Sequence, residues 1–405
     1  MNNYIDTELG KIPSDWEIKE IGEIGEVITG NTPKTSELEN YGEEYLFVSP
    51  IDMGRDKYIS KTNKMLSSVG FTKTRRLPKG SVLVTCIGST IGKIGIASKE
   101  LCTNQQINSI VCSNIINNEY VYYAIHYNFK HYKNFISNQA VPIINKTTFS
   151  KLPLQIPSLK EQQKITTILS SIDEAIGKTE AIIEQTGEVK KGLMQQLLTQ
   201  GVGHTKFKKT EIGEIPESWS VVKVEEICDV LDGLRKPIKK ADRVLGDIPY
   251  YGATGVIDWV NDYIFDESLV LVGEDGENIR SRVLPMAFKI EGKSWVNNHA
   301  HVLRPKDTID IDYLELYLEF IDYEKYITGS AQPKLNQQVL RKIKVALPRI
   351  EEQKMLSRSM SAIANKLQKE EEKLLQLQVI KKGLMQSLLT GRVRVKIDKD
   401  EVTQV

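Results

Sequence analysis

Asp275, Glu291 and Lys293 occur in the order of the Asp…Glu-x-Lys arrangement of metal-dependent nucleases. There, two carboxylates hold Mg²⁺ and the lysine assists the attacking water. Such spacing arises easily by chance, and nothing else in the chain reinforces it. The string IGSTIGKI, from Ile87 to Ile94, is similar to a phosphate loop. Gly88 to Gly92 is one residue too short, however, and Ile94 stands where a hydroxyl would hold magnesium. His299-Ala-His301 could turn two imidazoles to one side of a strand, but no cysteine lies near and the chain has 5 histidines in all. No Gly-rich turn follows the first strand of a βαβ unit, so a Rossmann-type S-adenosylmethionine site has no support. Cys86, Cys102, Cys112 and Cys228 show no CxxC spacing and read as reduced, buried thiols. The expectation is a chain with no catalytic residues, no metal and no cofactor of its own.

The stronger chemical signal lies in polar and basic loops between short apolar runs. In the first half these loops carry Thr32 and Lys34, Arg75 and Arg76, Ser89, Thr90 and Lys93, and Asn104, Gln105 and Gln106. In the second half they carry Arg235 and Lys236, Lys239 and Lys240, Glu274, Asn278, Arg280 and Arg282, and Asn297, Asn298 and His299. Asn and Gln bond an adenine edge bidentately, and Arg or Lys do so with guanine. Lys, Ser and Thr on Gly-containing loops suit phosphates. A solvated loop or a turn-forming bond is the plainer reading of any one such residue. Together they point to nucleic acid.

The elements that must position these loops are written as a repeat. LGKIPSDW ends at Trp16 and IGEIPESW at Trp219, and KKGLMQQLLTQG (190–201) returns as KKGLMQSLLTGR (381–392). At a shift of 203 residues, Gly10, Ile12, Pro13, Trp16, Ile24, Val27 and Gly30 meet equivalents in the second half. At a shift of 191, so do Ala140, Pro142, Asn145, Lys151 and Pro157. The second insert is thus 12 residues shorter, and the stretches inside the frame hardly agree. A shared frame around two unlike inserts suggests one device reading two different things. Each half holds strand-like runs such as Ser81 to Thr85 and Leu269 to Val272, and an aromatic helical segment from Glu119 or Asp312. Both halves read as small α+β domains.

After each domain comes a long segment without proline. Ser158 and Glu161 could form a capping box at the start of the first. Its heptad seam reads Ile165, Leu169, Ile172, Ile176, Thr179, Ile183, Thr186, Lys190, Leu193, Leu197. The second reads Leu356, Met360, Ile363, Leu367, Glu370, Leu374, Leu377, Lys381, Leu384, Leu388. Alternating steps of 3 and 4 over five heptads indicate a coiled coil, although Gly177, Gly187 and Gly192 weaken the first helix. Connectivity favours antiparallel pairing, giving a pseudo-two-fold dumbbell with a rod of roughly 60 Å. The expected boundaries are a first domain at 1–157, a helix at 158–201, a second domain at 202–348, a helix at 349–392 and a tail at 393–405.

A chain of 405 residues accommodates these domains, each with its own core. No apolar run approaches a membrane span, and the N-terminus lacks a signal-peptide core, so a cytoplasmic location is expected. The formal charge of +1 is low for a protein that grips DNA alone, so either the ligand is not nucleic acid or other subunits supply part of the grip.

At this point the motifs resemble a known family, the specificity (S) subunits of type I restriction–modification enzymes. The resemblance spans essentially the whole chain. It rests on the two IPxxW openings, the Gly-x-Thr-Pro turn at Gly30 to Pro33, and TNQQI from Thr103. YYGATGVIDWV from Tyr250, VGEDGENIRSR from Val272, WVNNHAHVL from Trp295 and GSAQPKLNQ from Gly329 add to it. The P-x-[LI]-x-E-Q helix starts at Pro157 and Pro348 complete it. The resemblance implies that each half is a target recognition domain binding one half of a split, asymmetric DNA site. It implies that the helices space the domains and dock two adenine-N6 methyltransferase subunits, joined by endonuclease/translocase subunits. Chemistry would then belong to the partners. A nuclease built on Asp275, Glu291 and Lys293, or a coiled-coil scaffold with no DNA role, are the alternatives.

Overall fold

The computed structural model describes residues 4–54, 56–137, 141–329 and 333–396. The frame residues Ala140 and Ala331 and the end of the tail, 397–405, lie outside the described residues. Four helices organise the chain: α1 (Asn118–Tyr132), α2 (Leu159–Gln200), α3 (Ile311–Phe320) and α4 (Ile350–Leu389). The chain divides into two units, one of residues 1–179 and 373–405 and the other of 180–372, so both long helices belong partly to each.

In the first unit a sheet runs in the order Gly25–Thr29, Ile107–Cys112, Val82–Thr85, Ile94–Ala97, Tyr58–Ile59. A second runs Lys64–Leu66, Tyr41–Val48, Leu101–Thr103, Arg76–Leu77. Side chains alternate across a strand. Leu83, Ala97 and Ile107 therefore meet Leu46, Val48, Leu77 and Leu101 between the sheets. Val82, Val84, Ile94 and Ile110 point the other way, onto Tyr120, Val121, Ala124 and Ile125 of α1. Burial on both faces explains why this strand reads as an unbroken apolar run rather than an alternating one.

The second unit repeats this plan. One sheet runs Cys228–Val230, Ala300–Pro305, Leu269–Gly273, Ala287–Ile290, and the other Gly255–Val260, Ile248–Gly252, Lys293–Val296, Phe265–Asp266. Leu269, Leu271 and Val302 face Phe265 and Val296 between the sheets, while Val270, Val272 and Leu303 pack beneath α3. The repeat thus continues through inserts whose sequences do not align.

The glycines expected to weaken α2 do not break it, since Gly177, Gly187 and Gly192 all lie inside one continuous helix. All twenty seam positions are buried or half-buried, including Thr179 and Thr186, which are buried. In the first unit Ile165 and Leu169 share a core with Met385, Leu388 and Leu389, and Asp173 pairs with Lys381 at 2.6 Å. Rising numbers on α2 meet falling numbers on α4, so the helices run antiparallel there. In the second unit Leu193 and Leu197 join Leu356 and Met360. Among the described residues, no helix is long and apolar enough to cross a membrane.

Candidate nucleic-acid interface

The repeated motifs fasten each domain to the start of a long helix. Trp16 donates its indole N–H to Glu161 at 3.1 Å, and Trp219 donates to Glu352 at 3.0 Å. The neighbouring glutamines do the same twice. Gln162 accepts from the Asn117 amide (2.8 Å) and donates to the Pro157 carbonyl (2.9 Å). Gln353 accepts from the Asp310 amide (2.8 Å) and donates to the Pro348 carbonyl (2.9 Å). Glu161 is thereby diverted from the capping box, of which only the Ser158 bond to its amide, at 3.4 Å, is present. The helices end in Gly201 and Gly391, both at positive φ; a Cβ there would lie 2.7 Å from Trp219 and 2.3 Å from Pro13. A further side chain closes each latch: Arg394 on Glu161 and Asp15, and the His204 ring on Glu352 at 2.7 Å. Asn145 and Asn336 recur because each caps a short helix, at 146–150 and 337–342.

This frame presents the loops. In the first domain Gln105 is exposed and its Oε1 accepts from Thr32 at 2.6 Å, so this pair ties the Gly-x-Thr-Pro turn to TNQQI. Asn104 and Gln106 bond each other at 2.9 Å and shape the turn beneath it. Ser89 and Arg76 are exposed, and Arg76 lies over the Phe71 ring. Thr90 is half-buried, Lys34 pairs with Glu37, and Arg75 donates to the Thr29 carbonyl. Lys93 donates to the Pro50 carbonyl at 3.0 Å.

The second domain carries a buried ionic cluster that the sequence did not announce. His301 is fully buried, with Nδ1 2.6 Å from Asp232 and Nε2 2.7 Å from the Leu335 carbonyl. Arg235 reaches Glu274 at 2.6 Å and the Ala300 carbonyl at 2.8 Å, and Lys334 reaches Glu274 at 3.2 Å. Burial alone would raise Asp232, but bonds from His301 and the Val302 amide and the charge of Arg235 outweigh it and hold the carboxyl low. Glu274 is held low in the same way by Arg235, His301 and Lys334. Asp232, Glu274 and His301 could in principle hold a metal ion, but Arg235 and Lys334 already neutralise these carboxylates.

This cluster pins the loops singled out in the sequence, and it uses several of their residues to do so. Arg235 and Glu274 are members of it. Asn278 staples a turn through Leu284, and Asn297 is buried with its Oδ1 on the His299 amide. Arg282, the one non-glycine residue at positive φ among those described, lies over Tyr323 and pairs with Glu319. Arg280 pairs with Glu324. Asn298, His299 and Lys236 remain exposed, His299 with its Nδ1 on Asp275 at 2.9 Å.

The rival chemistry is not assembled. Leu269 pairs with Ile290, so Glu291 and Lys293 lie beyond the first end of strand Leu269–Gly273 and Asp275 beyond the other. At about 3.3 Å per residue the carboxylates are roughly 20 Å apart. Lys293 lies over Tyr263, and Glu291 pairs with Lys289. The amides of Gly88, Ile91, Gly92 and Lys93 all bond protein carbonyls, leaving none of these four for a phosphate. Burial pushes Cys86, Cys112 and Cys228 up to about 12 and Cys102 to about 11. They are inert free thiols.

The duplicated frame decides the kinship. The type I restriction modification DNA specificity domain matches the chain twice, over residues 13–186 and 216–379. The chain belongs to that family. It is 29% identical to the type I restriction enzyme MjaVIII specificity subunit of Methanocaldococcus jannaschii, covering 95% of each chain. It is also 29% identical to the putative MjaX specificity subunit of that organism, covering 97% of each. The S subunit structure from the type I restriction-modification system of M. genitalium shares the fold, with a TM-score of 0.62 at 16% identity over 95% of this chain and 97% of that one. Two tandem specificity domains make this chain a non-catalytic specificity subunit.

Proposed function

We propose that each domain reads one half of a split, asymmetric duplex DNA site. The two long helices hold a pair of adenine-N6 methyltransferase subunits, and endonuclease/translocase subunits join that core in the cytoplasm. The observation that carries this is the conjunction of one latch, Trp–Glu with its Gln clamp, used twice, and two differently lined loop sets above it. The frame is kept because each domain meets a helix in one way. The loops diverge because each meets different bases. In the first domain the exposed amide of Gln105 is the best-placed base reader; in the second it is Asn298, with His299 beside it. Arg235, Glu274, Asn297 and Arg282 act beneath the reading surface.

Methylome sequencing of cells carrying the chain with its partner subunits tests this. A bidentate base contact is worth about 1–3 kcal/mol, so Asn298→Ala should relax one position of one half-site by one to two orders of magnitude. Gln105→Ala should relax only the other half-site. If either substitution blurs both half-sites equally, modular reading is wrong.

A further inference from the structure

The segment Arg235 to Arg243, RKPIKKADR, carries Lys236, Lys239 and Lys240 with exposed side chains. Among the described residues, none of the three forms an ion pair or donates a side-chain hydrogen bond, although the charge of Lys240 acts at longer range on Asp258. The backbone that carries them is, by contrast, held at each end and in the middle. Arg235 is sunk into the cluster of Asp232 and Glu274. The Trp295 indole N–H donates to the Lys236 carbonyl at 2.6 Å, and the Ile238 amide donates to the Tyr250 hydroxyl at 3.0 Å. Arg243 lies 4.5 Å over the Tyr250 ring, pairs with Asp258 at 2.8 Å and returns to the Ile238 carbonyl at 3.2 Å. Pro237 removes one more freedom. A solvated loop needs no such fixing. Three unpaired cations on a backbone whose ordering cost is already met suit a rigid polyanion.

The first domain has the opposite chemistry at the same place, between strands Gly25–Thr29 and Tyr41–Val48. Its segment TPKTSELEN (32–40) carries Glu37 and Glu39, and its one cation, Lys34, lies 3.4 Å from Glu37. Lys73 closes over both acids, at 3.0 Å and 3.2 Å. That segment offers nothing to an anion. Arg235 also approaches the Asn298 carbonyl at 3.5 Å, so one guanidinium ties the strap to the exposed asparagine loop.

We propose that residues 236–240 are a phosphate grip confined to the second domain, and that Arg235 is its positioning residue. The grip holds the sugar–phosphate backbone beside the half-site read by Asn298. The inference rests on the DNA-reading function proposed above and assigns the non-specific part of the hold to one domain.

The test is a salt titration of duplex binding by the full chain complexed with its methyltransferase partners. It compares the native chain with a variant in which Lys236, Lys239 and Lys240 are all replaced by Gln. Each neutralised phosphate contributes about 0.9 to the slope of log K against log salt. Three contacts therefore steepen it by about 2.7, and the variant should lose roughly 40-fold less affinity between 50 and 200 mM salt. The loss should be equal on cognate and scrambled duplexes, with the methylated sequence unchanged. Arg235→Gln removes no exposed lysine, yet should flatten the slope in the same way. Equal slopes for native and triple variant, while the native complex still prefers its cognate duplex, overturn the grip and leave DNA reading intact. Absence of salt-dependent binding by the native complex overturns both. Weakened binding by Arg235→Gln at an unchanged slope overturns the positioning role.

Discussion

Arg394→Ala should loosen the first unit and leave the second unchanged. The guanidinium donates to the buried Glu161 carboxylate at 2.8 and 2.9 Å and to Asp15 at 2.9 and 2.8 Å. Removing one partner of a buried pair costs about 3–5 kcal/mol, because the other charge stays buried and under-bonded. Two features reduce that figure. The Trp16 N–H still donates to Glu161, and the Asp15 side chain, 62% exposed, contributes at most about 1 kcal/mol. About 2–4 kcal/mol remains, or 30- to 900-fold in a local opening equilibrium. A single unfolding curve is not suited to a chain of two units, so native-state hydrogen exchange is the assay. Protection should fall by that factor for Trp16 and the last turn of α4, and not for Trp219 or the first turn of α4. Arg394→Lys, which keeps the charge but loses the fork, should fall between. Protection unchanged within threefold, or lost equally in both units, would refute the latch.

Acid should loosen the second domain through its buried cluster. Asp232 and Glu274 are held below the ordinary carboxylate range in the folded state, so their stabilisation is full above about pH 5 and is lost as pH falls through their lowered values. Tryptophan emission followed from pH 5 to 2 should show this, and Asp232→Asn should flatten the transition; an identical pH profile would count against it. Cys112 is half-buried, but thiol reagents at pH 8 should label the buried Cys86, Cys102 and Cys228 only in denaturant, and fast labelling of any of these three in the folded chain contradicts its burial. Inserting one heptad after Ile183 and one after Leu374 keeps the seam and lengthens each helix by about 10 Å. Methylated sites should then show roughly three more unread base pairs, or methylation should fail; full activity at the old gap would rule out a ruler.

The frame was legible because it is a set of local rules applied twice. The 3–4 seam marked α2 and α4, and repetition flagged Trp16, Glu161, Gln162 and their counterparts. What those residues do was not legible, since an indole N–H meeting a carboxylate 145 residues away is a tertiary fact. The inserts show the converse. Both follow one two-sheet plan, yet their sequences do not align, because a strand buried on both faces asks only for apolar bulk. Val82–Thr85 and Leu269–Gly273 meet that demand with different residues.

Where the two plans coincide, their contents show how one fold takes two chemistries. The Gly88 amide bonds the Pro142 carbonyl, and the Gly276 amide bonds the Pro333 carbonyl, so the loops match position by position. Two residues earlier stand Cys86, in an apolar core, and Glu274, in an ionic one. Both carbonyls accept an equivalent amide, from Ile144 and Leu335. The backbone contract is therefore satisfied without reference to the side chain. Sequence reading took Arg235 and Glu274 for ligand-facing residues because loops with charge usually are. Burial reverses that: a charge that cannot reach water must find a partner inside, and here the partners, Asp232 with Arg235, Glu274, His301 and Lys334, come from four separate stretches of chain. The site candidates proposed above as readers are those the interior did not claim, Asn298 and Gln105 foremost. Exposure with a fixed backbone, rather than residue type alone, is what separates a reader from the scaffold beneath it.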